Sequence, residues 1–388
     1  MHLPEPASLI AALERAGSRG VLVSTGGGSS AIPHLLSTPG ASGVVLEALV
    51  PYAREAVDRL LGGRQESYCS SRTARRLAVA AWQRATALGA APEAALGAAV
   101  TASLVTRQPK RGAHRAIVAV QTLGATRVAE VVLEKGARSR GAEEEVAAAL
   151  LLEALEEVAG GRGSGARPAP DLLRPAEAVR RDGIEPPAAW RELFAGTALA
   201  VAAGTATCAT AAGGRVVFPG SFDPFHEGHL LMARIAEEVA ERPVDYELSI
   251  TNVDKPMLDY LEIRDRAAQF ASRPLWLTRA ATFLEKTAIF PGSTFVMGAD
   301  TYVRLADPRY YGGSEEAARE AVRAIAERTR GLIVFGRVRD GVFQDAAQLQ
   351  VPQPLRDVTY FVSQREFRID ISSTELRHRA AEEAACGG

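Results

Sequence analysis

Two histidines three residues apart, His226 and His229, are the side chains of this sequence best suited to chemistry on a phosphate. They follow a short apolar run that breaks at Pro219-Gly220, and an amphipathic helical pattern continues behind them from Leu230 to Arg242. This order predicts a strand, a tight loop and the start of a helix. A helix N-terminus presents unpaired N–H groups and the positive end of the helix dipole, and side chains three apart in its first turn share one face. We therefore expect both imidazoles to face one anion, as the transfer of a phosphoryl group requires.

Two other roles for these histidines stay open. One is a metal pair, but the helical zinc signature has histidines four apart with a glutamate between them, whereas the spacing here is three with no clear third ligand. The other is a pair of structural histidines. Because the chain has only six histidines and two of them fall within four residues after a strand and loop, the sequence favours the phosphate site over both.

The stretch from Gly220 to His229 resembles the signature of the nucleotidylyltransferase superfamily, a strand followed by G-x-F-D-P-x-H-x-G-H and a helix. Every fixed position of that signature is filled. The resemblance implies that this loop binds ATP, with the histidines at the α-phosphate. The implied ATP contacts in the loop are Gly220, Ser221, Phe222, Asp223, His226 and His229.

A second stretch, Ile371-Ser372-Ser373-Thr374 with Arg377, opens the last predicted helix. Its hydroxyls can cap a helix or hold a phosphate, and the guanidinium of Arg377 can bind a phosphate in a bidentate manner. By itself the stretch is more typical of a helix cap with a surface arginine. It is similar, however, to the I-S-S-T-x-x-R element of the same superfamily, which implies contacts with the β- and γ-phosphates of ATP.

The superfamily reaction joins a nucleoside triphosphate to a phosphorylated acceptor and expels pyrophosphate. The acceptor supplies the attacking phosphate oxygen, so the protein needs hydrogen-bond donors and positive charge rather than a nucleophile of its own. The resemblance implies four catalytic donors, His226, His229, Lys255 and Arg377. It also implies Mg²⁺ held mainly by the triphosphate and water, with no protein ligand that the sequence can name.

The acceptor is predicted from short polar stretches that follow strands. Asn252 to Pro256 and Gly298 to Thr301, together with the last motif, look most like the nicotinamide or nicotinate mononucleotide adenylyltransferases. Trp276 could stack on the pyridine ring, as could Phe283 or Tyr302, although such aromatics are more often core residues. Two alternatives stay open, another phosphorylated acceptor and a nucleotide sensor without turnover. The expected acceptor-binding residues are Asn252, Lys255, Gly298, Asp300 and Trp276.

A glycine-rich loop, Thr25 to Ser30, follows an apolar strand near the start of the sequence. With Ser37 to Ser42 and Glu47 to Tyr52 behind it, this region resembles the CinA C-terminal domain, the family of nicotinamide mononucleotide deamidases, over about residues 6–160. In those deamidases a lysine follows the tyrosine, and that position here is Val57, which cannot activate a nucleophile. The resemblance thus implies a retained fold without deamidase activity. Its implied pocket residues are Thr25, Gly26, Gly27, Ser29, Ser30 and Tyr52.

The elements that position these motifs are expected to form two domains. We predict a CinA-like domain at residues 1–160, a Gly- and Pro-rich linker with a connecting segment at 161–212, and a nucleotidylyltransferase domain at 213–388. From Arg215 onward strands and helices alternate, for example a helix at Glu315 to Arg328 and a strand at Gly331 to Phe335. The predicted fold class is α/β with two domains. The N-terminal one is a CinA-like α/β domain, and the C-terminal one is a Rossmann-like, doubly wound parallel sheet with ligands at the carboxyl ends of its strands.

Composition narrows the possible partners. The 45 lysines and arginines nearly balance the 46 aspartates and glutamates, so no nucleic-acid partner is expected. The most apolar run, Leu193 to Ala212, consists mostly of Ala, Gly and Thr and is too weakly apolar to cross a membrane. Three distant cysteines indicate a reducing compartment, hence the cytoplasm. The expected partners are ATP, the mononucleotide and other copies of the chain in a homo-oligomer.

Overall fold

The computed structural model of the chain describes residues 5–108, 110–160, 172–203, 214–270, 272–339, 342–344 and 348–363. The chain divides into two compact units. Unit 1 comprises Met1–Arg191 and Asp254–Glu262, and unit 2 comprises Glu192–Val253 and Ile263–Gly388. A short segment from the middle of the C-terminal half thus belongs to unit 1 by its contacts. The domain limits at 160 and 213 stay predictions.

Unit 1 is built on one six-stranded mixed sheet. Its strands are β1 (Arg19–Thr25), β2 (Val45–Leu49), β3 (Ala95–Ser103), β4 (His114–Gln121), β5 (Thr126–Leu133) and β6 (Val179–Ile184). They follow the order β2-β1-β3-β4-β5-β6. β1 is parallel to both β2 and β3, and the other neighbours are antiparallel. β1 therefore lies between the strands that come next in the chain.

Helices cover the central strands of this sheet on both faces. Val21, Leu22 and Val23 of β1 are all buried, as expected for a strand with no solvent face. The helices described before β6 are α1 (Pro6–Arg15), α2 (Ala31–Leu36), α3 (Ala41–Val44), α4 (Arg54–Leu60), α5 (Ser71–Ala87) and α6 (Arg140–Val158). Leu150 and Leu151 of α6 are fully buried in the core that α6 and α1 form with β3 and β4.

The segment Asp254–Glu262 completes unit 1 with buried polar contacts. Arg75 donates to the carboxylate of Asp259 at 2.7 Å, and Asp259 is buried. The backbone N–H of Tyr260 donates to Thr126 Oγ1 at 3.1 Å, and its hydroxyl donates to the carbonyl of Leu123 at 2.9 Å. These contacts explain why the segment groups with residues far from it in sequence.

Unit 2 is built on a seven-stranded sheet. Its strands are β7 (Ala200–Ala203), β8 (Val216–Pro219), β9 (Val244–Ser249), β10 (Leu275–Thr278), β11 (Thr294–Gly298), β12 (Gly331–Phe335) and β15 (Thr359–Val362). Separately, β13 (Arg337–Arg339) pairs with β14 (Val342–Gln344) in an antiparallel manner. The sheet order is β15-β12-β11-β8-β9-β10-β7. All neighbours are parallel except β7, which is antiparallel to β10.

The six parallel strands, counted in chain order, have the spatial order 3-2-1-4-5-6 of a doubly wound fold. The predicted fold class is confirmed. The helices of this part are α7 (Ala188–Ala195), α8 (Glu227–Ala240), α9 (Tyr260–Ala267), α10 (Phe283–Ile289), α11 (Ala299–Arg304), α12 (Glu315–Arg328) and α13 (Gln353–Asp357). Short 3-10 turns follow α9 at Ala268–Phe270 and α11 at Pro308–Tyr311.

The strand order reverses between β8 and β11. These two strands pair only at their first residues, Val216 with Thr294 and Val217 with Phe295. Their carboxyl ends are not paired with each other, which opens the crevice where sheets of this type bind ligands. Two segments start there: the loop from Gly220 to His226 after β8, called the histidine loop below, and the N-terminus of α11, which follows Gly298 directly.

Within the residues that the structure describes, the most apolar run of the sequence contributes a strand and not a membrane-spanning helix. The Ala-rich run after Leu193, to which the sequence assigns no role, supplies the edge strand β7 of the second sheet. In the described part of the chain, no helix has both the length and the apolar character needed to cross a membrane.

Candidate active site

The histidine loop leaves β8 at the carboxyl end of the sheet and ends at the first turn of α8. The N–H of Gly220 donates to the carbonyl of Glu247 on β9 at 2.9 Å, which continues the β8–β9 pairing by one residue. His226 is the N-cap residue of α8, with extended backbone. His229 lies in the first turn, so both histidines stand at the N-terminus of a helix, as predicted.

The two imidazoles are stacked on each other. Their ring centroids are 3.8 Å apart and the ring planes differ by 27°. The backbone N–H of His226 donates to Nδ1 of His229 at 3.2 Å. Because Nδ1 accepts this hydrogen bond, the neutral ring of His229 carries its proton on Nε2. His229 is thereby held as a donor through Nε2.

Burial keeps both imidazoles neutral. Desolvation lowers the pKa of His226 below its usual value. Desolvation lowers the pKa of His229 to about 3, and the repulsion that a protonated His226 would exert acts in the same direction. A neutral imidazole can still donate one hydrogen bond to a phosphate oxygen, and a bound anion favours the protonated form. Binding of an anion beside the pair would therefore raise the pKa of both imidazoles.

Aromatic rings surround His229 on the protein side. The ring of Phe225 lies nearly parallel to the imidazole, with centroids 5.4 Å apart and planes 17° apart. Phe222 meets the same imidazole edge-on at 5.1 Å. Phe222 is 0% exposed and also contacts Tyr246 and Phe270. This packing fixes the ring of His229 and withholds water from one side of it.

The loop backbone is strained at Phe222. Its φ of 45° lies in the left-handed region, which costs a non-glycine residue about 1–3 kcal/mol. The buried ring of Phe222 offsets this cost. Gly220 is required next to it, because a Cβ at that position would lie 2.5 Å from the Phe222 ring.

One family model matches the part of the chain that carries the histidine loop. Residues 217–379 match the family model described as Cytidylyltransferase-like. This part of the chain is a cytidylyltransferase-like domain. It contains the histidine loop, and its sheet is the doubly wound sheet of unit 2. The sequence resemblance to nucleotidylyltransferases is confirmed at this level, and the domain supports nucleotidyl transfer in general.

Solved structures similar to the chain are proteins of the CinA type. They include the competence/damage-inducible protein CihA from Agrobacterium tumefaciens, at 20% identity and a TM-score of 0.31, covering 41% of this chain and 98% of that one. Two CinA superfamily proteins, from Klebsiella pneumoniae and Escherichia coli, are 15% and 17% identical, each with a TM-score of 0.33. Each covers 41% of this chain, and 99% and 94% of its own length. No curated protein matches the chain.

Two residues that sequence reasoning missed hold the loop of the cytidylyltransferase-like domain. Arg266 donates to the carbonyl of Ser221 at 3.0 Å, and Gln269 donates to the carbonyl of Phe222 at 3.0 Å. The two residues are three apart in the sequence, Arg266 in α9 and Gln269 in the 3-10 turn that follows it. The available signal was a polar pair with helical spacing. A solvated helix face has the same pattern, and only the burial of the side chains distinguishes the two.

The predicted acceptor residues are distributed unevenly. Gly298 is the N-cap residue of α11 at the switch point, and the exposed Asp300 follows it in the first turn. Asn252 is exposed after β9. Lys255 belongs to the segment that packs in unit 1. Ile371, Ser372, Ser373, Thr374 and Arg377 lie outside the described residues.

Trp276 is a core residue of the cytidylyltransferase-like domain. It is 8% exposed, and its indole N–H donates to Asp245 at 3.2 Å. Trp276 pairs in register with Glu247 of β9. Tyr246, which belongs to the aromatic cluster around the histidine loop, directly precedes Glu247, so its side chain points to the other face of the sheet. The predicted contact of Trp276 with the acceptor gains no support from this position.

In unit 1, the glycine loop is closely packed. A Cβ on Gly26 would lie 2.0 Å from the carbonyl oxygen of Ala102, and the φ of Gly26 is 76°. The hydroxyl of Ser29 and the N–H of Ser30 both donate to Glu144, at 2.9 and 3.2 Å. Thr25 is buried at the end of β1. Gly27 is also crowded, because a Cβ there would lie 2.5 Å from the side chain of Leu104. The loop is therefore packed against residues of unit 1 itself.

The remaining features expected of the deamidase-like pocket are also placed. Tyr52 is 71% exposed, so no pocket encloses its ring. Val57, where the resemblance expects a lysine, is 1% exposed in α4. An apolar side chain is the natural occupant of such a position, and a lysine there would need a charge partner.

Proposed function

We propose that the protein transfers an adenylyl group from ATP to nicotinamide mononucleotide or nicotinate mononucleotide, with release of pyrophosphate. The product is NAD or its acid analogue. The single observation that carries the proposal is the stacked histidine pair at the start of α8, at the switch point of a doubly wound sheet. Nucleotidyl transfer needs such a set of donors and no protein nucleophile.

In the proposed reaction, a phosphate oxygen of the mononucleotide attacks the α-phosphorus of ATP. A new P–O bond forms as the bond to the pyrophosphate oxygen breaks, and pyrophosphate leaves with the electron pair. Charge gathers on the α-phosphate oxygens between these two events. His229 donates from Nε2 to one of those oxygens, and the N-terminal N–H groups of α8 add the field of the helix.

Mg²⁺ is proposed to be held by the triphosphate itself. Within the described ranges, no group of three or more His, Cys, Asp or Glu side chains is arranged to hold a metal ion. A metal that binds through phosphate oxygens and water needs no such group. When bound, Mg²⁺ supplies charge neutralisation for the departing pyrophosphate, and Arg377 and Lys255 remain proposed contributors of positive charge.

CTP is a second candidate for the nucleotide donor. The matching family model is named for cytidylyl transfer, so CTP is the alternative donor, with another phosphorylated alcohol or sugar as acceptor. The chemistry at the histidine pair would be the same, because it engages phosphates rather than the base.

The test is pyrophosphate release by the full-length protein with Mg²⁺. ATP and CTP are each supplied with nicotinamide mononucleotide, nicotinate mononucleotide or a set of phosphorylated alcohols. Release with ATP and either mononucleotide, with NAD or its acid analogue as product, supports the proposal. Release with CTP alone transfers support to the second candidate, and tight nucleotide binding without release supports a sensor.

Unit 1 is proposed to lack deamidase activity. The buried Val57 and the closely packed glycine loop support this, since neither supplies a base to activate a hydroxyl. Ammonia release from nicotinamide mononucleotide by the full-length protein would overturn it.

A further inference from the structure

We propose that Arg266 and Gln269 are positioning residues for nucleotidyl transfer, which hold the backbone of Ser221 to Phe225 so that the histidine pair keeps its orientation. Their kinetic role rests on the proposed function. Neither residue is assigned a contact with substrate. They act through the loop.

The side-chain amide of Gln269 makes two hydrogen bonds to the loop backbone, one through its nitrogen and one through its oxygen. Its Nε2 donates to the carbonyl of Phe222 at 3.0 Å, and its Oε1 accepts from the N–H of Phe225 at 2.7 Å. One side chain therefore fixes two backbone groups three residues apart. A neighbouring strand would do the same for an extended chain, but this stretch has no strand partner.

Arg266 fixes the preceding part of the loop. It is buried, and its guanidinium donates to the carbonyl of Ser221 at 3.0 Å and to the carboxylate of Asp223 at 3.4 Å. Two successive carbonyls, those of Ser221 and Phe222, thus point toward the same helical run. The left-handed Phe222 lies between these anchors, so its conformation is held from both sides.

The position of the loop backbone determines the orientation of the histidines. Phe225, whose N–H is held by Gln269, is followed in the chain by His226, whose N–H donates to Nδ1 of His229. A shift of Phe225 therefore moves the donor that sets the tautomer and the plane of His229. Small displacements matter here, because misplacing a catalytic group by about 1 Å can lower a rate roughly a hundredfold.

The first test is independent of activity. Hydrogen exchange of peptides covering Phe225 and His226 is compared in the wild type, Gln269→Ala and Gln269→Glu. We expect exchange at least about tenfold faster in Gln269→Ala, and near the wild-type rate in Gln269→Glu, which retains an acceptor for the Phe225 N–H. The matched control is Gln353→Ala, which removes a side chain bonded only to Asp357 of its own helix at 2.6 Å among the contacts described for it.

Two outcomes of that measurement overturn the proposal. Unchanged exchange at Phe225 in Gln269→Ala would show that the hydrogen bond does not order the loop. Faster exchange over the whole chain would show that Gln269 supports global stability instead.

The second test is steady-state kinetics of Arg266→Lys and Gln269→Ala, with Arg234→Lys, an exposed position on α8, as control. We expect kcat to fall roughly tenfold to a hundredfold while KM for the nucleotide stays within about threefold, as for an interaction that acts in the transition state. A rise in KM with kcat unchanged would overturn the positioning role. If the wild type turns over no nucleotide at all, the proposed function fails, and hydrogen exchange still decides whether the two residues order the loop.

Discussion

Lys286 and Glu247 form a buried ion pair directly behind the histidine loop. The ammonium nitrogen of Lys286 lies 2.8 Å from each carboxylate oxygen of Glu247, which is fully buried. Thr278 donates to the same carboxylate, and the backbone carbonyl of Glu247 accepts from Gly220. The pair thus joins α10 to β9, the strand whose Glu247 carbonyl accepts from Gly220 at the start of the loop.

Removing one partner of this pair should destabilise the protein strongly. We expect Lys286→Met to lower the free energy of unfolding by about 3–5 kcal/mol, because the carboxylate of Glu247 would remain buried without its counter-charge. Urea unfolding measures this. The double variant Lys286→Met with Glu247→Gln should recover part of the loss, and a single-variant loss below about 1 kcal/mol would contradict the prediction.

Loss of the His229 donor should act on turnover. We expect His229→Ala to lower kcat by roughly a hundredfold to a thousandfold, about 2.7–4 kcal/mol of transition-state stabilisation. Pyrophosphate release at saturating nucleotide measures it, with the exposed Arg234→Ala on the same helix as control. A decrease under about threefold would mean that another residue donates to the phosphate.

The stability of the protein should depend on pH through His229. Its pKa is lowered to about 3 in the folded state, while an unfolded histidine titrates near its ordinary value of about 6.5. Between these values the unfolded chain binds the extra proton, so the contribution of His229 to stability is present above about pH 6.5 and is lost progressively as the pH falls toward 3.

A matched variant isolates that dependence. His229→Asn removes the titrating group, so its unfolding free energy should change less between about pH 7 and pH 5 than that of the wild type. Urea unfolding at the two pH values measures the difference. Equal slopes for the two proteins would show that His229 is not buried as a neutral ring.

Gly220 should tolerate no side chain. We expect Gly220→Ala to lower stability by about 1–3 kcal/mol, since its methyl group would lie against the Phe222 ring and force the loop to move. Gly298→Ala is the control, because a Cβ there meets no atom within 4 Å. Comparable thermal unfolding of the two variants would count against the close approach at Gly220.

The sequence predicted the regular elements of unit 2 well where their patterns are strong. The helix Glu315–Arg328 and the strand Gly331–Phe335 have the predicted limits. The helix behind the histidines begins at Glu227 rather than Leu230, since periodicity registers the first apolar residue and not the polar cap before it. Alternation of strands and helices predicted a mostly parallel sheet with helices on both faces. The strand order and the position of the switch point are known from the structure.

Other features depended on contacts that no local pattern encodes. The edge strand Ala200–Ala203 has little β propensity and exists because β10 offers it a partner. The burial of Arg266 depends on the carbonyl of Ser221, 45 residues away in the chain, and sequence spacing does not reveal such a pair. The histidines could be predicted because their motif lies within ten consecutive residues. Arg266 and Gln269 were missed because they are far from that motif in the sequence.

The placement of Asp254–Glu262 has a consequence for dissecting the protein at the gene level. A cut after the linker would yield an N-terminal fragment without Asp259 and Tyr260, leaving Arg75 without the carboxylate that it contacts at 2.7 Å. The complementary fragment would carry that stretch without its partners Arg75, Thr126 and Leu123. The two units are therefore interleaved in the chain, and a single cut cannot release either one whole.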